Sequence, residues 1–368
     1  MYQLIKHFAF CLLLCVITSV NAIEAKLDTL SLDSKLLKRT VPLSLYLPFN
    51  YDAERKTPYP LLITAAGDSQ INVLLSQIDW LSHVDFGPMP QVLVLRMPAV
   101  VEQDKFDTAK GERNALLGEV LAQEALPMLS QQYNLAPFHI LEGFSTAGNV
   151  ALDLFSRYPK LYQAAVITSP ALELADDAWR TAVIERLQKN LAKRSLFVSL
   201  GSFSGNKPHF LSLQQALVGH DASQFSDLSK DNYIGGHSLG FLLGISRLFA
   251  DREIVDFAVF AKEGVEGVLQ FHQKLAAKYG YSLDPTDNLK GLASYYYQHQ
   301  QLAAGDAVYQ HLLTQQPSDV LLHVRKGQAL HASAYVEQAK QTFRKALQLA
   351  EQQQNQEAQQ FITRLLAQ

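Results

Sequence analysis

The sequence predicts an α/β chain: a doubly wound parallel sheet with helices on both faces, followed by a small all-α domain. Three observations carry this. Apolar runs ending in small residues alternate with segments of helical spacing over roughly the first 250 residues. Alternating strand formers give out after about residue 280. Two segments beyond that point align with each other at a fixed offset.

The chain opens with "MYQLIKHFAFCLLLCVITSVNA": Lys6, an apolar stretch from Phe8 to Val20, then the small-x-small pattern Val20-Asn21-Ala22. This pattern predicts a cleaved secretory signal over 1–22, and hence export to a periplasm or the medium. Residues 41–52 alternate apolar and polar side chains before Pro48 and Asn50, as a strand and turn do. Residues 59–69 and 90–98 read as buried strands, 112–133 as a helix, 136–144 as a strand and 146–159 as a helix. Residues 163–172 and 194–202 repeat the pattern of an apolar run followed by small residues. An open sheet of this kind takes its ligands at the carboxyl ends of its strands.

The expected division is 1–22 signal, 23–262 catalytic domain, 263–285 linker helix and 286–368 helical repeats. In the last segment Tyr296 aligns with Leu330, Tyr309 with Phe343 and Leu312 with Ala346. The offset of about 34 residues is the period of a tetratricopeptide repeat. Gly327, Ala339, Phe343 and Ala346 supply its small and aromatic packing residues, and Pro317 its turn.

At 368 residues and 48% hydrophobic composition, the chain has material for a large core. A formal net charge of −3 suggests neither a nucleic-acid binder nor a polybasic membrane binder, and no interior run suggests stable membrane insertion. Cys11 and Cys15, the two cysteines, both fall in the expected signal. The mature chain is therefore expected to have no disulfide, thiolate nucleophile or Cys-ligated metal.

The chemistry centres on "LEGFSTAGNVALDLF", residues 141–155. Gly143-Phe144-Ser145-Thr146-Ala147 has the small-x-Ser-x-small form of a nucleophile elbow, with an apolar strand before it and a helical run after it. Small neighbours are required because the turn forces the serine into a strained conformation. Ser145 is the candidate nucleophile; a helix cap is the plain alternative. His237, in "IGGHSLGFLLGISRLF", lies on an expected glycine-rich loop before a helix and follows Ser145 in the required order. It is the candidate base, a helix-capping histidine being the plain alternative; His209, in a polar loop, and His220, at a helix end, are the competitors. The oxyanion donors expected are the N–H of Thr146 and, from the loop after "LLIT", that of Ala66 or Gly67. No acid follows the strand "LFVSLGS". Asp231, with Asp227 or Asp221 as alternatives, could orient the imidazole, or a backbone carbonyl could do so in a Ser–His dyad. Trp80, Phe86 and Trp179 are candidates for an aromatic substrate pocket, against ordinary core packing. No motif calls for a metal or cofactor.

With these residues placed, positions 25 to 255 resemble the esterase family of α/β-hydrolases that includes esterase D and the ferric-enterobactin esterases. "EALPMLSQQYNLAPFHILEGFSTAGNVALDLFSRYPKLYQAAVITSPAL" is the most specific part, and "GGHSLGFLLGISRLF" resembles the histidine loop and helix. The segment 271–297 resembles the linker of bacterial members with a C-terminal tetratricopeptide-like tail. The resemblance implies an α/β-hydrolase sheet, Ser145 and His237 as the catalytic pair, and a small ester substrate such as a siderophore lactone or an acylated small molecule. Three positions depart from the family pattern. Ala147 replaces a glycine, "TAAGD" lacks an aspartate before its glycine, and "GSFSGN" lacks acids. The alternative reading is a degenerate, non-catalytic scaffold whose helical tail binds a protein partner.

Overall fold

A computed structural model describes residues 25–49, 51–83, 87–98 and 111–367. The expected signal segment with both cysteines, and Phe86, lie outside the described residues. The described chain divides into two compact units, one of Glu24–Glu253 with Leu275–Leu283, the other of Ile254–Lys274 with Asp284–Gln368.

The first unit is an eight-stranded sheet. Its elements are β1 (Lys26–Ser34), β2 (Arg39–Leu47), β3 (Tyr59–Thr64), α1 (Asp68–His83), β4 (Leu93–Arg96) and α2 (Gly111–Val120). A π-helical turn at Leu121–Ala125 leads into α3 (Leu126–Gln132). Then come β5 (Leu135–Phe144), α4 (Thr146–Arg157), β6 (Ala164–Thr168), α5 (Asp177–Asn190), β7 (Ser195–Leu200), α6 (Lys207–Ala216), β8 (Ser223–Asp227) and α7 (Tyr233–Leu248). The strand order is β1-β2-β4-β3-β5-β6-β7-β8. β1 and β2 pair antiparallel, as do β2 and β4, and every later pair is parallel. This is the sheet of an α/β-hydrolase.

The central strands read as unbroken apolar runs because both their faces are covered. On one face Leu61, Ile63, Leu141, Ile167 and Val198 join a core with Val120, Leu154, Phe155 and Val183. Asp153 of α4 is buried there, held by Arg186 at 2.6 Å, Arg157 at 2.9 Å and Asn114 at 2.9 Å. On the other face α7 lies directly on β6 and β7. A Cβ on Gly240 would come within 2.6 Å of Ser199 Oγ, and one on Gly244 within 2.6 Å of Val166 Cγ1. The glycines therefore let the helix backbone meet the sheet.

The edge strands β1 and β8 go beyond what the sequence predicts. β8 is SQFSD, polar and only half-buried, so it carries no apolar run to read. α7 also begins earlier than expected. Asn232 caps it by accepting the Gly235 N–H at 2.7 Å, which draws the Gly235-Gly236 pair and His237 into its first turn rather than a loop.

The second unit is helical. After α8 (Gly264–Tyr279), whose first residues belong to it, come α9 (Thr286–Gln298), α10 (Leu302–Gln315), α11 (Val320–Ala332), α12 (Val336–Gln352) and α13 (Gln356–Leu366). The α9–α10 and α11–α12 hairpins start at Thr286 and Val320, and their second helices at Leu302 and Val336. In each hairpin a glycine receives an aromatic ring. A Cβ on Gly305 would sit 2.4 Å from the Tyr297 ring, and one on Gly327 2.4 Å from the Phe343 ring. Tyr296, Tyr309, Leu312, Leu330, Phe343 and Ala346 are all buried in one core.

Candidate active site

Ser145 stands alone between β5 and α4, with φ 58° and ψ −126°. A positive φ at a residue with a side chain is strained and persists only where its surroundings enforce it. They do so here through backbone bonds. The Ser145 N–H donates to Thr168 O at 3.1 Å, and Ser145 O accepts from Gly148 N at 3.0 Å and Ala171 N at 3.1 Å. A Cβ on Gly143 would fall 2.5 Å from Ala147 O, so only glycine fits there. Thr146 opens α4, and its N–H has no backbone acceptor among the described residues.

His237 is 6% exposed. Its ring stacks on Phe144, the neighbour of Ser145, with centroids 4.3 Å apart and planes at 23°. Its Nδ1 lies 2.7 Å from Thr168 Oγ1, and that hydroxyl is also 3.5 Å from Gly143 O. If the hydroxyl proton points to Gly143 O, Oγ1 accepts from Nδ1–H. The lone pair is then on Nε2, the tautomer a general base requires. Burial lowers the imidazole pKa to about 4, so the ring is neutral over the physiological range.

Among the described residues no hydrogen bond joins Ser145 to His237. Tyr233 packs against Phe144 at 4.7 Å and edge-on to Phe203 at 4.5 Å. Burial raises the Tyr233 phenol pKa, and the neighbouring Ser145 hydroxyl opposes that rise.

The acids sit elsewhere. Asp227 pairs with Lys207 at 3.2 Å and accepts the Ser229 N–H at 2.9 Å, with 45% of its side chain exposed. Asp231 and Asp221 are exposed. None is bonded to His237, where Thr168 occupies the place expected of an acid or a carbonyl. The loop expected to complete the oxyanion hole is partly committed. The Ala66 N–H donates to Thr64 Oγ1 at 2.9 Å, and the Gly67 N–H reaches Gln70 Oε1 only at 3.3 Å. The Ala66 N–H, expected as an oxyanion donor, is thus engaged within its own loop. Trp80 is 63% exposed on α1. Trp179 is buried at the start of α5, beside a cavity of about 220 Å³ lined also by Leu152, Leu172 and His209. The described residues hold no group of three side chains suited to a metal ion.

Three residues near the site were not singled out from sequence: Thr168, Tyr233 and Glu142. Glu142 alone left a trace, as the one acid in the apolar strand "FHILEGF".

Residues 34–238 match the family model described as "Putative esterase". The chain belongs to this esterase family. Among solved structures, an IroE-like serine hydrolase from Shewanella oneidensis is 19% identical with a TM-score of 0.63, over 78% of this chain and all of that one. An uncharacterised protein from Capnocytophaga ochracea is 15% identical with a TM-score of 0.58, over 88% of this chain and 94% of that one. At these identities the two likenesses speak for the fold. No curated protein matches the sequence. Membership in the esterase family makes the chain a carboxylic ester hydrolase, the α/β-hydrolase sheet being the family's scaffold.

Proposed function

We propose that this esterase works through an acyl-enzyme, with Ser145 as nucleophile and His237 as base. The observation that carries the reading is the strained Ser145 turn adjoining Phe144, on which the His237 ring stacks. Ser145 Oγ forms a bond to the ester carbonyl carbon as its proton passes to His237 Nε2. The carbonyl oxygen becomes an oxyanion facing the Thr146 N–H, with Gly67 N–H as the second donor once it leaves its long contact with Gln70. Collapse breaks the bond to the alcohol, which leaves with the proton from His237. Water then repeats the sequence on the acyl-enzyme and frees the acid. Thr168 fixes the imidazole in place of a carboxylate, so the machinery is a Ser–His dyad with a hydroxyl behind it. The Ser145 hydroxyl must turn to meet His237 Nε2 when substrate enters.

The substrate class proposed is a small ester, with siderophore lactones and acylated small molecules as its best candidates. The N-terminal segment ending Val20-Asn21-Ala22 supports export. The hairpin starts at Thr286 and Val320, with aromatic rings seated on Gly305 and Gly327, support a tetratricopeptide-like tail that offers a protein partner a surface.

The test is labelling of full-length protein with a fluorophosphonate beside Ser145→Ala and His237→Ala. Labelling lost in the serine variant and weakened in the histidine variant is expected. No labelling of folded wild type would favour the non-catalytic scaffold, a reading to which the missing Ser145–His237 bond lends some support.

A further inference from the structure

The carboxyl of Glu142 is buried one residue before Gly143, at 1% exposure. Burying such a group is costly unless hydrogen bonds compensate it. Its Oε2 accepts the Thr64 hydroxyl at 2.6 Å, and Thr64 Oγ1 in turn accepts the Ala66 N–H at 2.9 Å. Oε1 has no partner among the described residues. Thr64 and Glu142 are register partners at the carboxyl ends of β3 and β5. From Thr64 the chain enters the 65–67 loop, and from Glu142 it reaches Ser145 in three residues. Two hydrogen bonds in series therefore tie that loop to the strand that carries the serine. Among the described residues the other side-chain bond at the loop is the 3.3 Å contact of Gly67 with Gln70.

We propose that Glu142 is a positioning residue for ester hydrolysis. Through Thr64, its buried carboxyl fixes the 65–67 loop relative to the Ser145 turn and so sets where the second oxyanion donor stands. The inference rests on Ser145 as nucleophile and Gly67 as donor. It also gives a physical reason for the loss of the Ala66 N–H as a donor: that group is spent on holding the loop.

The charge state of the carboxyl matters to this role. Side chains alternate along a strand, so Glu142 faces the same side as Phe144, toward α7. Its register partners are Thr64 and Val166, and α7 meets Val166 with Gly244. The titratable side chains on α7 are Tyr233, His237 and Arg247. Tyr233 and His237 are near Phe144, and Arg247 is bonded to Ser226 of β8. The other register partner of Thr64 is Arg96 of β4, which pairs with Asp68 of α1, and on α1 Asp79 pairs with His83. Burial, opposed by the Thr64 bond, is what acts on Glu142. The carboxyl pKa is pushed up to about 7, so Glu142 is neutral in acid and mildly acid solution. Ionisation puts a negative charge beneath the donors just where a second negative charge must form. Turnover should therefore fall as pH rises through about 7.

The experiment uses full-length protein, a p-nitrophenyl ester of a short acid, and kcat and KM measured across pH. Glu142→Leu removes the acceptor for Thr64. It is expected to lower kcat by about tenfold or more, as for a misplaced oxyanion donor, while KM changes by less than about twofold. Fluorophosphonate labelling of Ser145 should persist. Glu142→Gln keeps an acceptor without a charge. It should restore most of kcat at pH 6 and abolish the fall through pH 7. Thr64→Val should reproduce the Glu142→Leu loss and Thr64→Ser should restore activity, which carries the test if Glu142→Leu does not fold. Wild-type kcat in Glu142→Leu or Thr64→Val, or a wild-type pH profile in Glu142→Gln, would overturn the role. Turnover persisting in Ser145→Ala would overturn the Ser145 reading, and the Glu142 role with it.

Discussion

The imidazole of His237 is held by the hydroxyl of Thr168, 2.7 Å from Nδ1, at the position where a carboxylate would orient a catalytic histidine. The two residues are 69 apart in sequence and meet because α7 lies on the end of β6. A hydroxyl fixes the ring without adding charge, so nothing offsets the burial that lowers the imidazole pKa.

Thr168→Val removes the bond and keeps the shape. We expect kcat to fall on the order of tenfold to a hundredfold, part of what a general base contributes, with KM little changed. Thr168→Ser should recover most of the loss. Asp227→Asn and Asp231→Asn should leave kcat within about twofold of wild type, because Asp227 is engaged with Lys207 and Asp231 is exposed. Steady-state kinetics on the four variants decides whether the hydroxyl or an acid serves His237.

The pH dependence follows from the same geometry. In its proposed role as base His237 acts in the neutral form, which predominates above its lowered pKa of about 4. The acid limb of kcat/KM should therefore lie well below the ordinary histidine value near 6.5, with activity kept through pH 5 to 6. A limb at pH 6 to 7 would mean that a negative group reaches the imidazole in solution.

The serine turn is legible in sequence because its demands are local. Gly143 has no room for a Cβ, and strand and helix patterns flank it on either side. The hydrolase sheet is legible because its central strands are buried runs. What surrounds the serine is not legible in the same way. Thr168 serves His237 through a helix laid across the sheet, and Ala66 loses its donor to a threonine held by Glu142, 78 residues from Thr64. Such pairings are set by strand register, which no local pattern announces. β8 escaped notice because an edge strand of polar residues needs no apolar run.

Glu142 also couples stability to pH. Its pKa is raised in the folded protein to about 7 from 4.5. Between those values the folded state keeps a proton that the unfolded chain has lost, so stability falls as pH rises. The contribution is fully present below about pH 4.5 and gone above about 7. It amounts to on the order of 3 kcal/mol. Denaturant unfolding at pH 5 and pH 8 should show a wild-type difference that shrinks in Glu142→Gln. An unchanged difference would place the pH dependence elsewhere.

Gly240 and Gly244 test whether close packing of α7 is what delivers His237. A methyl group on Gly240 would be 2.6 Å from Ser199 Oγ and 2.9 Å from Thr168 Cγ2, and one on Gly244 would be 2.8 Å from Phe197 Cδ1. Both lie far inside contact distance, so alanine at either position must move the helix or the strands. Helix propensity favours alanine by roughly 1 kcal/mol, whereas overpacking costs about 1–3 kcal/mol. Packing should win, and each variant should be less stable. The two positions differ in what they disturb. Gly240 is three residues from His237 and abuts Thr168 itself, whereas Gly244 abuts Val166 and Phe197 deeper under the helix. Gly240→Ala should therefore lower kcat well beyond its loss of stability, and Gly244→Ala mainly stability. Comparing kcat at temperatures where both variants remain folded separates the two effects. Equal kcat in the two would mean that the imidazole finds its place without the intimate contact of α7 and β6.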